Sequence, residues 1–281
     1  MARAARIAER WAATLLSRPE RERLSRAAID DAGHGYDRLG LSHEGLVAGV
    51  ASMRFLYERW FRVRSSGFEH VPTSGPAILA ANHSGMLPLD GAMLWTDVVR
   101  HGDPPRVPRI VVDLFVPRLP VIFTFFARTG AVAGDRRTMA ALLSRGELVG
   151  VFPEGLPGIA KPFSERYRLR PFRTGHAELA IAHGAPIVPV AIVGAEEQWP
   201  ELVRIESFHL FGAPYLPIPA TPFPLPVRYH VRYGAAIDPR GRFAPSDADD
   251  PAVTRALALE VQTAVQALVD DLLATRQGWF R

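Results

Sequence analysis

The sequence predicts an α/β fold: a mostly parallel sheet flanked by helices, preceded by an N-terminal helical segment. Two observations carry this. From about Phe68 onward, short apolar runs alternate with helical stretches, and strands alternating with helices argue for a parallel sheet. The 281 residues are 48% apolar and 22% charged, with no long biased tract. That is an ordinary globular mixture with enough chain to bury a sizeable core, and it excludes disordered, collagenous and coiled-coil classes.

The elements follow in order. Residues 1–31 read as a helix interrupted near Pro19, with Ile7, Trp11 and Leu15 recurring every four residues beside Arg3, Arg6 and Arg10. After a glycine-rich turn at 33–40, a second helix is expected from about His43 to Arg62, with Leu46, Val50, Met53, Tyr57, Trp60 and Phe61 as its apolar stripe. Helices with aromatic and aliphatic residues on one side and arginine on the other suit a membrane interface, or else cap a core. Residues 1–67 are therefore taken as an N-terminal helical segment and 68–281 as the α/β domain.

Within that domain, Ala77–Ala81 reads as a buried strand and 89–100 as a helix. Residues 109–112 form the next strand, followed by a helical run near 117–128. Helices at 138–145 and 176–183 precede and follow the expected strand 147–152, and 186–193 is a further strand, broken by proline. Leu225, Val227, Tyr229, Val231 and Tyr233 alternate with Arg228, His230 and Arg232, the period of a half-exposed strand. The Pro-rich stretch 214–226 reads as a surface connection, and a last helix begins near Asp250.

Composition narrows the chemistry. No cysteine is present, which excludes disulfides, a cysteine nucleophile and Cys-ligated zinc. The formal charge is +4, and 32 of the 33 basic residues are arginine, Lys161 being the exception. This balance suits anionic groups such as phosphates or lipid headgroups and is too weak to imply nucleic acid. No signal-peptide pattern is visible, and the longest clearly apolar run, 119–127, is too short for a membrane span. The P-loop, dinucleotide-binding, serine-elbow and zinc-protease motifs are all absent.

The strongest local pattern is Asn82-His83-Ser84-Gly85-Met86-Leu87-Pro88-Leu89-Asp90, between a strand and a helix. A histidine leaving a strand end lies at the rim of the sheet, where sites gather. Histidine is the usual base near neutral pH, and a carboxylate partner fixes its tautomer. The alternative is a structural histidine beside a capping aspartate. Further along come Gly130-Ala131-Val132-Ala133-Gly134-Asp135-Arg136, then Phe152-Pro153-Glu154-Gly155 at a strand end, then Ile187-Val188-Pro189-Val190.

In this order and spacing, from about Phe68 to about Ala235, the four blocks resemble the glycerolipid acyltransferase family of the 1-acylglycerol-3-phosphate acyltransferase type. The family's blocks are N-H-x-x-x-x-D, G-x-x-F-x-x-R, F-P-E-G and an apolar strand with V-P. The resemblance implies an O-acyltransferase that moves a fatty acyl group from acyl-CoA or acyl carrier protein to a hydroxyl of a lysophospholipid or related glycerolipid. It needs no cofactor beyond that co-substrate. His83 would be the general base and Asp90 its orienting partner. Asn82, Ser84, Arg136, Glu154, Gly155 and Pro189 would shape or bind the substrate. Transfer would be direct, in keeping with the missing cysteine. A peripheral location on the inner face of the cell membrane, in contact with surface lipids, is the matching expectation.

Three positions depart from the pattern. Six residues separate His83 from Asp90 instead of four, with Gly85 and Pro88 suggesting a longer loop. Ala133 stands where the family has phenylalanine, and Leu156-Pro157 where it has threonine-arginine. Lys161, Arg166, Arg168, Arg170 and Arg173, interleaved with Phe163, Tyr167 and Phe172, form a basic stretch that would compensate by meeting CoA phosphates or an acidic headgroup, unless it is a solvated loop. Competing readings are an acyl-thioester hydrolase and a non-catalytic lipid-binding protein; a metal-dependent enzyme is more distant, since the nine histidines are scattered.

Overall fold

The computed structural model describes residues 15–84, 89–113, 116, 120–205 and 216–280. The periodic positions Ile7 and Trp11, the neighbouring arginines and the loop glycine and proline at 85 and 88 lie outside the described residues. Helix α1 is Arg18–Leu24. Pro19 lies in the first turn of this helix, where a proline has no N–H to leave unsatisfied. Ser17 and Glu20 close a capping box over the same turn. Helix α2, His43–Phe55, is capped by Ser42 and continues as a π-helical turn to Trp60.

A seven-stranded sheet follows: β1 (Arg64–Ser66), β2 (Ala77–Ala81), β3 (Arg109–Val112), β4 (Val132–Ala133), β5 (Leu148–Val151), β6 (Ile187–Val193) and β9 (His230–Tyr233). The spatial order is β1-β9-β6-β2-β5-β3-β4, parallel everywhere except the β6–β9 pair. The helices α3 (Leu89–His101), α4 (Pro120–Arg128), α5 (Arg136–Ser144), α6 (Gly175–His183) and α7 (Pro251–Thr275) complete the layers.

Strand periodicity assigns the two faces. Ala77, Leu79 and Ala81 of β2 and Val188, Val190 and Ile192 of β6 join one core with Leu46 and Val50 of α2 and Met93 and Leu94 of α3. Ile78 and Ala80 of β2, with Ile187, Ala191 and Val193 of β6, pack on the other side against Leu179 of α6 and Val261 and Val265 of α7. Leu16, Leu24 and Leu41 belong to the first core as well.

Three expectations are corrected. Strand β6 runs unbroken through Pro189, which pairs in register with Ala80 and whose carbonyl accepts the Gly234 N–H. Regular pairing of the last alternating segment is confined to 230–233, because Arg228 and Tyr229 give their N–H groups to the carbonyls of Trp279 and Phe61 instead. Part of the Pro-rich connection is a strand: β8 (Leu216–Pro219) pairs antiparallel with β7 (Glu201–Ile205) in a separate two-stranded sheet. Pro217 and Pro219 lack donors, so the pattern reads poorly as strand although the other strand partners it.

Candidate active site

The site begins where β2 ends. Asn82 is fully buried and continues the ladder with its side chain. Its Nδ2 donates to the Ile192 carbonyl at 2.9 Å, and its Oδ1 accepts the Ile192 N–H at 2.7 Å. This clamp fixes the direction in which the chain leaves the sheet.

The next residue, His83, places Nδ1 2.6 Å from Oδ2 of Asp90, in the first turn of α3. Asp90 is fully buried. Its Oδ2 also accepts the Ser84 N–H at 2.9 Å, and its Oδ1 accepts its neighbour Gly91 N–H at 2.7 Å. A carboxylate so anchored dictates the tautomer: Nδ1 carries the proton and donates it to Asp90, leaving Nε2 free to accept. The imidazole lies against Phe152, ring centroids 4.5 Å apart.

The Phe152-Pro153-Glu154-Gly155 turn braces this arrangement from behind. Glu154 is buried, and its Oε1 accepts the His83 N–H at 2.9 Å. Its Oε2 accepts the Arg170 N–H at 2.6 Å and lies 3.4 Å from Lys161 Nζ. The Lys161 side chain is 2% exposed and also meets Glu196 at 3.0 Å. Burial pushes the Glu196 carboxyl above its ordinary range, and the lysine pulls the other way. Gly155 and Gly158 are required here. Gly155 has φ +60°, with the Arg173 guanidinium 3.0 Å from where a Cβ would sit. A Cβ on Gly158 would approach Glu154 to 2.7 Å.

The structure thus sorts the anticipated site residues. His83, Asp90, Gly155 and Arg173 line one cavity of about 470 Å³. Asn82, Glu154 and Lys161 turn their polar atoms into the protein, where partners already engage them. Arg136 is the first residue of α5, after its cap Asp135, and pairs with Glu178 at 2.7 Å. The Arg166 guanidinium lies over the Phe163 ring, 4.6 Å from its centroid, and near Trp279. Pro189 is buried in β6.

The stretch 161–173 is therefore no plain solvated loop. Tyr167 takes a left-handed backbone, φ +65°. Its N–H donates to Glu196, its carbonyl accepts from Gln266, and its hydroxyl accepts the Gly194 N–H. A strained residue survives where its surroundings over-determine it.

The apolar lining of the cavity comes from two sides: Gly49, Met53, Trp95 and Phe125 from α2, α3 and α4, and Ile78, Met139, Leu143 and Leu179 from the sheet, α5 and α6. Sequence reasoning missed His176, which lines the cavity from α6. Burial pushes its imidazolium pKa down to about 4. A single histidine inside Thr174-Gly175-His176-Ala177 carries no motif that would have marked it. Among the described residues, no three metal-ligating side chains cluster.

With this geometry in hand, comparison with known proteins is informative. The acyltransferase family model matches residues 62–193, the segment from just before β1 to the end of β6. That segment, just under half of the chain, is similar to the acyltransferase family. A Mycobacterium leprae protein is 39% identical over 238 residues, covering 81% of this chain and 65% of that protein. A Mycobacterium tuberculosis protein is 39% identical over 240 residues, 81% of this chain and 66% of its own length. The chain thus spans just under two thirds of these curated relatives. The human protein described as "DGAT1/2-independent enzyme synthesizing storage lipids" is 26% identical over 216 residues, 75% of this chain and 62% of that protein. The fold is similar to that of a 1-acyl-sn-glycerophosphate acyltransferase, PlsC, from Thermotoga maritima. The TM-score is 0.55 at 18% identity, covering 82% of this chain and 83% of that one.

Proposed function

We propose that the protein transfers a fatty acyl group from an acyl thioester, acyl-CoA or acyl carrier protein, to a hydroxyl of a lysophospholipid or related glycerolipid. The observation that carries this is the His83–Asp90 pair, its tautomer fixed, opening on an apolar cavity. The acyltransferase family match over residues 62–193 and the storage-lipid relative add support for a glycerolipid acceptor.

In this reading His83 Nε2 takes the proton of the acceptor hydroxyl as its oxygen attacks the thioester carbonyl. Asp90 stabilises the imidazolium that forms. The tetrahedral intermediate expels the thiolate, which recovers the proton from Nε2. An ester and a free thiol result, with no acyl-enzyme. Arg173 and Gly155, which line the same cavity as His83, meet the acceptor, and the apolar lining holds the acyl chain. Glu154, Lys161 and Asn82 hold the base in place from the protein side.

Purified protein given acyl-CoA, or acyl carrier protein charged with the same chain, and a panel of glycerolipid acceptors should release free thiol and form the acylated lipid by mass spectrometry. A His83→Ala protein as active as wild type would refute the base. Thiol release without acceptor, yielding only free fatty acid, would identify a hydrolase instead.

A peripheral position on the inner membrane face belongs to the same proposal. No described helix is long and apolar enough to cross a membrane. Exposed Phe55 stacks near Trp60, whose indole donates to the Pro224 carbonyl beside exposed Phe223, and Arg62 reaches the carbonyl of exposed Phe280. Aromatic side chains among arginines suit a lipid interface.

A further inference from the structure

His176 is 5% exposed and lines the cavity on its α5–α6 side. Its Nδ1 lies 2.8 Å from the Arg173 carbonyl. A carbonyl only accepts, so Nδ1 holds the proton and Nε2 presents a lone pair. That Nε2 is buried and has no hydrogen-bond partner. The ring is fixed from the other side by an edge-on contact with Phe172, centroids 6.0 Å apart. A buried acceptor left unpaired is costly, and such groups are normally satisfied.

The surroundings say what would satisfy it. Ile78, Met139, Leu143, Val149, Val151 and Leu179 line the cavity from the sheet, α5 and α6, and all are apolar. Hydrocarbon fits there; a phosphate or a sugar does not. Burial keeps the imidazole neutral at physiological pH, so it offers an anion nothing.

We propose that the α5–α6 side of the cavity binds a lipid segment bearing one aliphatic hydroxyl, which donates its hydrogen bond to His176 Nε2. The hydroxyl has two possible sources, a hydroxylated acyl chain of the donor or a spare hydroxyl of the acceptor glyceride. The inference rests on the proposed function in taking the cavity as a lipid site, and it adds a specificity-determining residue distinct from His83. A site built to pair a hydroxyl rejects the deoxy analogue, because the protein group is then stranded.

The test reads binding, not turnover. Affinities of wild-type protein are measured for stearate against monohydroxylated stearates differing in hydroxyl position, and for monooleoylglycerol against its dimethyl ether. In at least one arm the hydroxylated ligand should bind about tenfold or more tighter than its partner. The arm that responds identifies the source. His176→Phe should abolish the preference, and His176→Gln, which keeps an acceptor, should restore part of it. In nitrogen-15 histidine spectra of wild type, the His176 Nε2 resonance should move with the preferred ligand and not with its deoxy partner. This readout stands even if the phenylalanine variant does not fold. No preference in either arm, or an unmoved resonance, overturns the proposal and leaves water as the partner of Nε2. Acyl transfer without hydroxyl preference would sink this inference alone, whereas preference without transfer would sink only the catalytic reading.

Discussion

Glu154 accepts the backbone N–H of His83, so the acid of one sequence block sets the position of the base in another, 71 residues earlier. The same carboxylate holds the Arg170 N–H and approaches Lys161. Removing it strands buried groups on three segments. Glu154→Ala should lower stability by about 3 kcal/mol, the range for breaking a buried charged pair, and should depress kcat even where the protein remains folded. Urea melts and acyl-transfer rates check this. Unchanged stability would mean that Glu154 is not a brace.

The His83–Asp90 pair predicts a different signature. His83→Ala and Asp90→Asn should each lower turnover by about 10²–10⁴-fold, the usual share of a positioned acid–base group. Asp90→Asn presents an amide where Nδ1 needs an acceptor, so the wrong tautomer is favoured. Combining the two changes should cost little more than either alone, because the pair acts as a unit. Additive losses would contradict that coupling.

Asn82 makes a prediction about the sheet. Asn82→Ala leaves the Ile192 N–H and carbonyl without their partners in a buried position. A loss of about 2–3 kcal/mol follows from stranded buried polar groups. Hydrogen exchange at the Ile192 amide, measured beside global stability, should accelerate.

The buried His176 makes stability depend on pH. Its pKa is about 4 in the folded chain against an ordinary 6.5, so between these values the unfolded chain binds more protons. Stability is fully present above pH 6.5 and falls as pH drops toward 4, by up to about 3 kcal/mol from this residue. His230, half-buried and surrounded by arginines, is lowered to about 4 as well and adds to the same slope. Urea midpoints across pH 4–7 should show the decline, and His176→Phe should flatten part of it. An unchanged slope in that variant would assign the effect elsewhere.

The lipid-facing proposal calls for charge changes, not truncation. Leu16, Leu24 and Ala27 are core residues, so deleting residues 1–31 would open the core. Replacing Arg3, Arg6 and Arg10 together by glutamate should instead weaken sedimentation with anionic vesicles, with neutral vesicles as control. Binding unaffected by the replacement would rule out these arginines as lipid contacts.

Much of the fold was legible because single segments carry their own signal. The five buried residues of β2 and the long apolar face of α7 need no partner to be recognised. Strand β1, Arg64-Ser65-Ser66, was not legible: its three residues are polar and become a strand only because β9 lies alongside. The site divided in the same way. His83 and Asp90 sit close in sequence and could be paired by motif. The inward roles of Asn82, Glu154 and Lys161 depend on partners up to 110 residues away. Residue type marked them as polar site candidates, and only tertiary placement shows that they support the site from behind.

Lys161 has one further consequence. It is the chain's single lysine, and its amine sits out of reach between two glutamates. Amine-directed reagents therefore find no accessible side-chain amine on the folded protein. Lysine acylation or crosslinking becomes a one-site reporter of unfolding: modification at Lys161 registers molecules whose Phe152–Gly155 brace has opened.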